Sequence, residues 1–298
     1  VKLRNALIVY KKSTYQIQAV EHRESRFIKL LEEGHDTVTR VKIAHAEHYD
    51  VLDALKTELT KRGIEVTALA RAELNRIVTN ADLVISVGGD GTFLDASHFV
   101  HSVPLLGVNS SRSSSFGHFC LANESNFGKV LDQIESDEIK PLPLLRLEME
   151  LNGSTLPELV LNEVLVCHSN PAGTSRYFLQ IGDNREEQRS GGIWIGPPAG
   201  STGAIRAAGG IVLPIAERSF QYIVREPGPR PYEHWKLLRE VINEDVELKI
   251  TSQMRTGALY IDGQHIDYGM ALGDELVVRS SKKNLMAYVF PDVNDIFH

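Results

Sequence analysis

Gly88-Gly89-Asp90-Gly91-Thr92 sets a carboxylate among glycines, a combination with few purely structural uses. It follows Asp82 to Val87, a short β-branched run that suits a strand buried on both faces of a sheet. Thr92 then opens a segment with helical spacing. Strand, glycine turn, helix is the arrangement found at the carboxyl edge of open parallel sheets, where ligands bind. Glycines let a backbone approach a phosphate closely, and a helix start adds unpaired N–H groups. A bare acid there repels a polyphosphate unless it takes a proton or meets a metal that offsets its charge. The usual dinucleotide fingerprint does not fit, because Leu94 stands where its third glycine belongs. The plain alternative is a tight turn with a helix-capping aspartate.

Three further stretches carry polar groups in apolar settings. Asn162-Glu163 interrupts the Leu159 to Cys167 run, and neighbours on a strand point to opposite faces, so one of the two should face a cleft or ligand. Its alternative is a turn-capping amide beside a solvated acid. Ile193 to Ile195 reads as a strand, Gly196 to Gly200 as a rigid turn, and Ser201 or Thr202 as the N-cap of a small-residue helix running toward Gly209-Gly210. Such a helix start could take an anion or a ribose, or simply pack on a sheet. Asp262-Gly263 opens a hairpin turn toward His265, a weak signal alone.

The elements that must hold these residues fall into two groups. Strands at Asn5 to Tyr10, Ile64 to Leu69, Asp82 to Val87 and Leu105 to Asn109 alternate with helices at about Gln16 to Glu33, Tyr49 to Arg62 and Arg71 to Thr79. Alternation of this kind argues for a doubly wound α/β sheet. Beyond Pro141-Leu142-Pro143 the sequence turns β-rich, with strands at Leu145 to Leu151, Leu159 to Cys167, Arg176 to Ile181, Val246 to Thr251, Ala258 to Ile261, Glu275 to Ser280 and Leu285 to Phe290. The expected domains are residues 1–142, α/β, and 143–298, β-rich, the C-terminal tail being free to return to the first.

A net charge of −7 excludes a broadly basic nucleic-acid surface, though not a local basic pocket. No apolar stretch is long enough to span a membrane. The polar start does not read as a secretory signal, and a first residue of valine leaves room for a missing leader. Two cysteines, Cys120 and Cys167, fit neither a metal spacing nor a disulfide framework, which suggests the reducing cytoplasm.

Together these stretches resemble the ATP-dependent NAD kinase family, through Gly88 to Thr92, Leu106 to Asn109, Asn162-Glu163, Gly200 to Thr202 with Gly209-Gly210, and Asp262-Gly263. The first loop alone is shared with diacylglycerol, sphingosine and phosphofructokinase-type kinases; the ordered set is more specific. Ser111-Arg112 through Cys120, Arg189 to Gly192, Ala199 to Thr202 and Gln221 to Pro227 are similar to the NADH kinases of plants. The resemblance implies an α/β domain followed by a β-rich domain with the active site between them, and a homodimer or homotetramer. It implies that Asp90 is the general base for the adenosine ribose 2′-hydroxyl of NAD or NADH. Gly88, Gly89, Gly91 and Thr92 would hold the phosphates of ATP, with Mg²⁺ as partner and its protein ligands unassigned. Asn162, Glu163, Arg189, Thr202, Ala204 and Asp262 would bind the dinucleotide. Two departures stand out: the wider family has an aromatic residue in place of Ala204 and an aspartate in place of Gly191. With no charge at 191, NADH is expected to serve at least as well as NAD. The rivals are a lipid kinase, which needs a membrane-facing surface the sequence does not show, and a non-catalytic dinucleotide sensor, which would not need Asp90.

Overall fold

The structure, a computed structural model, describes residues 2–111, 116–229 and 234–292; Arg112 lies outside the described residues. The chain divides into two units, one of residues 2–142 with Leu285–Phe290 and one of Pro143–Asn284. No described helix is long and apolar enough to cross a membrane.

In the first unit, parallel strands stand in the order Glu65–Ala70, Asn5–Tyr10, Leu83–Gly88, Leu105–Asn109, Leu285–Tyr288. Leu83–Gly88 and Leu105–Asn109 are buried along their whole length, as their nearly all-apolar runs require. The last of these strands comes from the far end of the chain and pairs with Leu105–Leu106. The helix Val41–Lys61 covers the sheet through Val51, Leu52, Leu55 and Leu59, and Phe127–Glu135 through Val130, Leu131 and Ile134.

Helix boundaries differ from the sequence reading where local polar groups intervene. The long helix starts at Val41 rather than Tyr49, its first two turns being half-buried or exposed. The single helix expected from Gln16 to Glu33 is broken at Arg23, whose φ is +48°, and restarts at Ser25 under the Glu24 side chain, which accepts from Arg26 and Phe27 N–H. Only Arg71–Glu73 of the expected Arg71 to Thr79 helix forms, as a 3-10 turn, because Val78 bridges to Val100 instead.

The second unit is two six-stranded sheets. One runs Asn184–Ser190, Ser175–Ile181, Leu248–Ser252, Glu275–Ser280, Leu147–Leu151, Ser154–Thr155; the other Arg239–Ile242, Phe220–Arg225, Gly192–Gly196, Val164–His168, Gly257–Ile261, Ile266–Met270. Met149, Tyr177, Leu179, Ile250 and Val278 of the first meet Val164, Val166, Ile193, Phe220 and Leu259 of the second in one core. Alternate residues of each strand supply it, as the period-two pattern demands.

One contact ties the long helix to the glycine turn. His48 is fully buried, its Nδ1 lies 2.7 Å from Ser110 Oγ, and Ser110 N–H donates to Gly88 O at 2.9 Å. Burial first, and then the Lys11 charge, lower the His48 pKa to about 4. A histidine that is neutral when folded takes up a proton on unfolding, so its stabilisation is lost as pH falls from the unfolded value through the folded one. Against a His48→Gln variant, chemical denaturation should show the wild type losing up to about 3 kcal/mol of relative stability from pH 7 to pH 4. A difference that does not change with pH would mean His48 titrates normally.

Candidate active site

The glycine turn of the first unit forms where the Leu83–Gly88 strand ends, and the helix begins at Asp90, two residues before the expected start. Gly89 is the N-cap and Thr92 N–H turns back to Gly89 O at 3.0 Å, so Thr92 serves the helix as well as any ligand. A β-carbon at Gly88 would overlap the buried Thr92 hydroxyl, so this glycine is needed for packing. Gly91 differs. It has no positive φ, and a β-carbon there would meet nothing within 4 Å. The fold does not need glycine at 91, and a phosphate approaching the first helical turn would.

Asp90 is partly exposed, and its Oδ1 accepts from Phe119 N–H at 2.8 Å. Phe119 stacks on Phe93 with ring centroids 5.0 Å apart. The segment lies close over the sheet because Gly107 has no side chain; a β-carbon there would strike Phe119 O. Asp90 thus has one carboxylate oxygen tied to the backbone.

In the second unit Asn162 and Glu163 do not sit inside a strand. The strand starts at Val164, and residues 161–163 bend around the carboxylate of Asp262. Asp262 Oδ1 accepts from Asn162 N–H at 2.7 Å and Glu163 N–H at 3.1 Å, and Oδ2 from Leu161 N–H at 3.0 Å. Three successive N–H groups spent on one anion cannot join a ladder. The bend also defeats the opposite-faces rule: Asn162 Nδ2 donates to Glu163 Oε2, so both side chains point together. Burial, and then the Asp262 charge, push the Glu163 carboxyl up to about 7. Burial raises Asp262 to about 7 as well, with its three N–H donors and Arg146 pulling the other way. Arg146 is fully buried, its Nε donating to Lys283 O at 2.8 Å. Sequence reading passed over it, although an arginine inside Leu144-Leu145-Arg146-Leu147 was a visible signal.

The Pro198–Thr202 turn closes over this bend. A β-carbon at Gly200 would coincide with the carbonyl of Asn162, and one at Gly203 would stand 3.6 Å from Asn162 Nδ2 and 3.9 Å from Glu163 Oε2. Thr202 and Ala204 flank Gly203 and are half-buried. The expected N-cap is absent: Ser201 is buried and its hydroxyl accepts from Leu213 N–H at 3.0 Å, leaving a 3-10 turn and one helical turn, Ala204–Ala207. Arg189 stands apart from this group, exposed and 3.7 Å from Glu187 on its own strand.

A cavity of about 280 Å³ opens farther along the same ladder, lined by Leu165, Cys167, His168, Arg225, Glu226 and Tyr260, with Gly191 at its wall. Position 191 is itself uncharged, as the sequence reads, but it is bordered by an acid. Glu226, at a φ of +45°, places its carboxylate where a side chain on Gly191 would go. The acid is present and comes from a different strand end.

The first unit is thus a largely parallel sheet with a glycine turn carrying an acid, and the second a β-sandwich with a buried carboxylate pair. The family model for the ATP-NAD kinase N-terminal domain matches residues 7–139. The chain is 34% identical to a probable NADH kinase of Oryza sativa subsp. japonica over 82% of either chain, and 32% identical to an NADH kinase of Arabidopsis thaliana over 84% of this chain and 86% of that one. Solved structures share the fold: an Archaeoglobus fulgidus NAD kinase in complex with ATP (TM-score 0.67, 20% identity, 98% of this chain and 95% of that) and yeast NADH kinase complexed with NADH (0.68, 16%, 97% and 84%). The chain belongs to the NAD kinase family.

Two variants test the geometry. Gly91→Ala should leave the unfolding midpoint unchanged or raise stability by about 0.4–1 kcal/mol, while crowding the phosphate site enough to raise KM for ATP about tenfold. Asp262→Asn turns an NH₂ toward the Leu161 N–H and should cost about 1–3 kcal/mol in a urea melt. A near-neutral Asp262→Asn would remove the acid from its structural role.

Proposed function

We infer that the chain transfers the terminal phosphoryl group of ATP to the adenosine ribose 2′-hydroxyl of NAD or NADH, giving NADP or NADPH and ADP. Family membership at 34% identity over most of the chain supports the reaction, and the partly exposed carboxylate of Asp90 at the glycine turn, with one oxygen held by Phe119 N–H, is the observation that carries the assignment of its base. In the step, the 2′-hydroxyl gives its proton to Asp90, its oxygen bonds to the γ-phosphorus, and the bond from that phosphorus to the departing ADP breaks. A loose phosphoryl transfer needs alignment and charge stabilisation more than covalent help. The backbone at Gly89 and Gly91 supplies part of it. Magnesium enters with the donor, as Mg-ATP: such ions keep several waters and lean on substrate phosphates. Among the described residues no three His, Cys, Asp or Glu side chains cluster as metal ligands.

On the acceptor side, Asn162 and Glu163 are the dinucleotide contacts we favour, beside Thr202 and Ala204. Asp262 acts behind them by fixing the bend. Arg189 keeps a dinucleotide role only through a ligand group reaching its exposed strand. The Glu226 carboxylate removes the electrostatic ground for expecting NADH to match NAD, and both remain substrates. A homo-oligomer and a cytoplasmic setting complete the proposal; two unpaired cysteines fit a reducing compartment.

The direct test is to incubate the protein with Mg-ATP and each of NAD, NADH and a diacylglycerol. Phosphorylation of the lipid alone would overturn the reading. Asp90→Asn keeps the oxygen that accepts from Phe119, so fold and dinucleotide affinity should persist while turnover falls about 10²- to 10⁴-fold. Turnover within a few-fold of wild type would mean that Asp90 only positions the loop.

A further inference from the structure

The ends of three adjacent strands fall in one row. Tyr10 is paired with Ala70 on one side and Val87 on the other, so the next residues across the sheet are Arg71, Lys11 and Gly88. Neighbouring strands are about 4.8 Å apart, so the three residues line one short edge. The strand order also marks the place. Glu65–Ala70 and Leu83–Gly88 lie on opposite sides of Asn5–Tyr10, which makes the gap between Asn5–Tyr10 and Leu83–Gly88 the topological switch point. Open α/β sheets bind their ligands at such a point, outside the carboxyl ends of the strands.

Two cations therefore share the edge that carries the glycine turn. Arg71 is committed to Asp95 on the helix that follows the turn, Nη1 to Oδ2 at 2.7 Å. Lys11 is half-buried, and among the described residues no carboxylate pairs with it. Its backbone N–H reaches Val87 O at 3.4 Å, and its ammonium shares the surroundings of Cys120 with the Asp90 carboxylate. Burial and the Arg71 charge both work against the ammonium. A half-buried cation with a like charge beside it and no paired carboxylate is a standing electrostatic cost, which a bound polyanion would remove.

We propose that Lys11 is a phosphate-contacting residue for the donor, its ammonium and the backbone of Gly89–Gly91 gripping one polyphosphate while Asp95 holds Arg71 alongside as the flanking cation. The proposal rests on reading the chain as an ATP-dependent kinase, and it names a residue that the glycine motif does not contain.

Lys11→Met keeps the stem and removes the charge. Without the charge-assisted hydrogen bond to the donor, KM for ATP should rise about 10- to 100-fold, with KM for NAD or NADH moving less than twofold. Lys11→Arg should restore most of the affinity. Thermal unfolding without nucleotide separates this from a structural role: Lys11→Met should unfold no lower than wild type, since the repulsion from Arg71 is gone, whereas a lysine that supports the fold would lower the midpoint. Inorganic tripolyphosphate should raise the wild-type midpoint and raise that of Lys11→Met much less. An unchanged KM for ATP, or equal rises in both KM values, would overturn the proposal. If the wild type phosphorylates neither dinucleotide, the functional reading fails on its own. The tripolyphosphate comparison still decides whether Lys11 binds polyphosphate, and equal shifts in the two proteins would refute it.

Discussion

The second unit depends on one anion held by its backbone. Asp262 collects the N–H groups of residues 161–163, which would otherwise be stranded between the end of a loop and the start of a ladder. Several features follow from that contact. The strand cannot begin before Val164, the side chains of Asn162 and Glu163 turn to the same side, and the 198–202 turn must come so close that only glycine fits at 200. Arg146 offsets the buried charge from the other side. Burial, and then the Asp262 carboxylate beside it, push Glu163 up to about 7.

The first unit is organised differently. Its chemistry belongs to the rim of a parallel sheet, where strands end in register and side chains from distant parts of the chain become neighbours. Asp90 is steadied by Phe119, and Phe119 by its stack on Phe93 and by the missing side chain at Gly107. Such a rim needs little sequence to specify it. Burying both faces of the sheet fixes the strands, and their ends fix the site.

Glu226 shows how position in space and position in sequence can part company. Gly191 lacks an acidic side chain, yet the cavity beside it is bordered by a carboxylate from the neighbouring strand end, with Arg225 close by. The space a side chain vacates is filled from elsewhere, and its charge is restored with it. The charge at that wall is therefore set by the whole lining rather than by one residue of a motif.

The sequence by itself determined what is local. Nearly all-apolar runs such as Leu83–Gly88 declared the parallel sheet, the change of rhythm near Pro143 declared the β-rich half, and Gly88 to Thr92 declared a phosphate-type turn with an acid in it. Each is set by residues within a few positions of one another. Tertiary structure decided what depends on partners far along the chain. Asn184–Ser190 is nearly all polar, yet it is a strand because Glu186 and Gln188 find the backbone of residues 236 and 237. Asn162 and Glu163 left their strand because an aspartate a hundred residues later took their hydrogen bonds. Arg71 and Lys11 became neighbours only through register. The physical reason is the same in each case: a polar group's cost or gain is set by what surrounds it once water is excluded, and the neighbours that decide it are chosen by the fold.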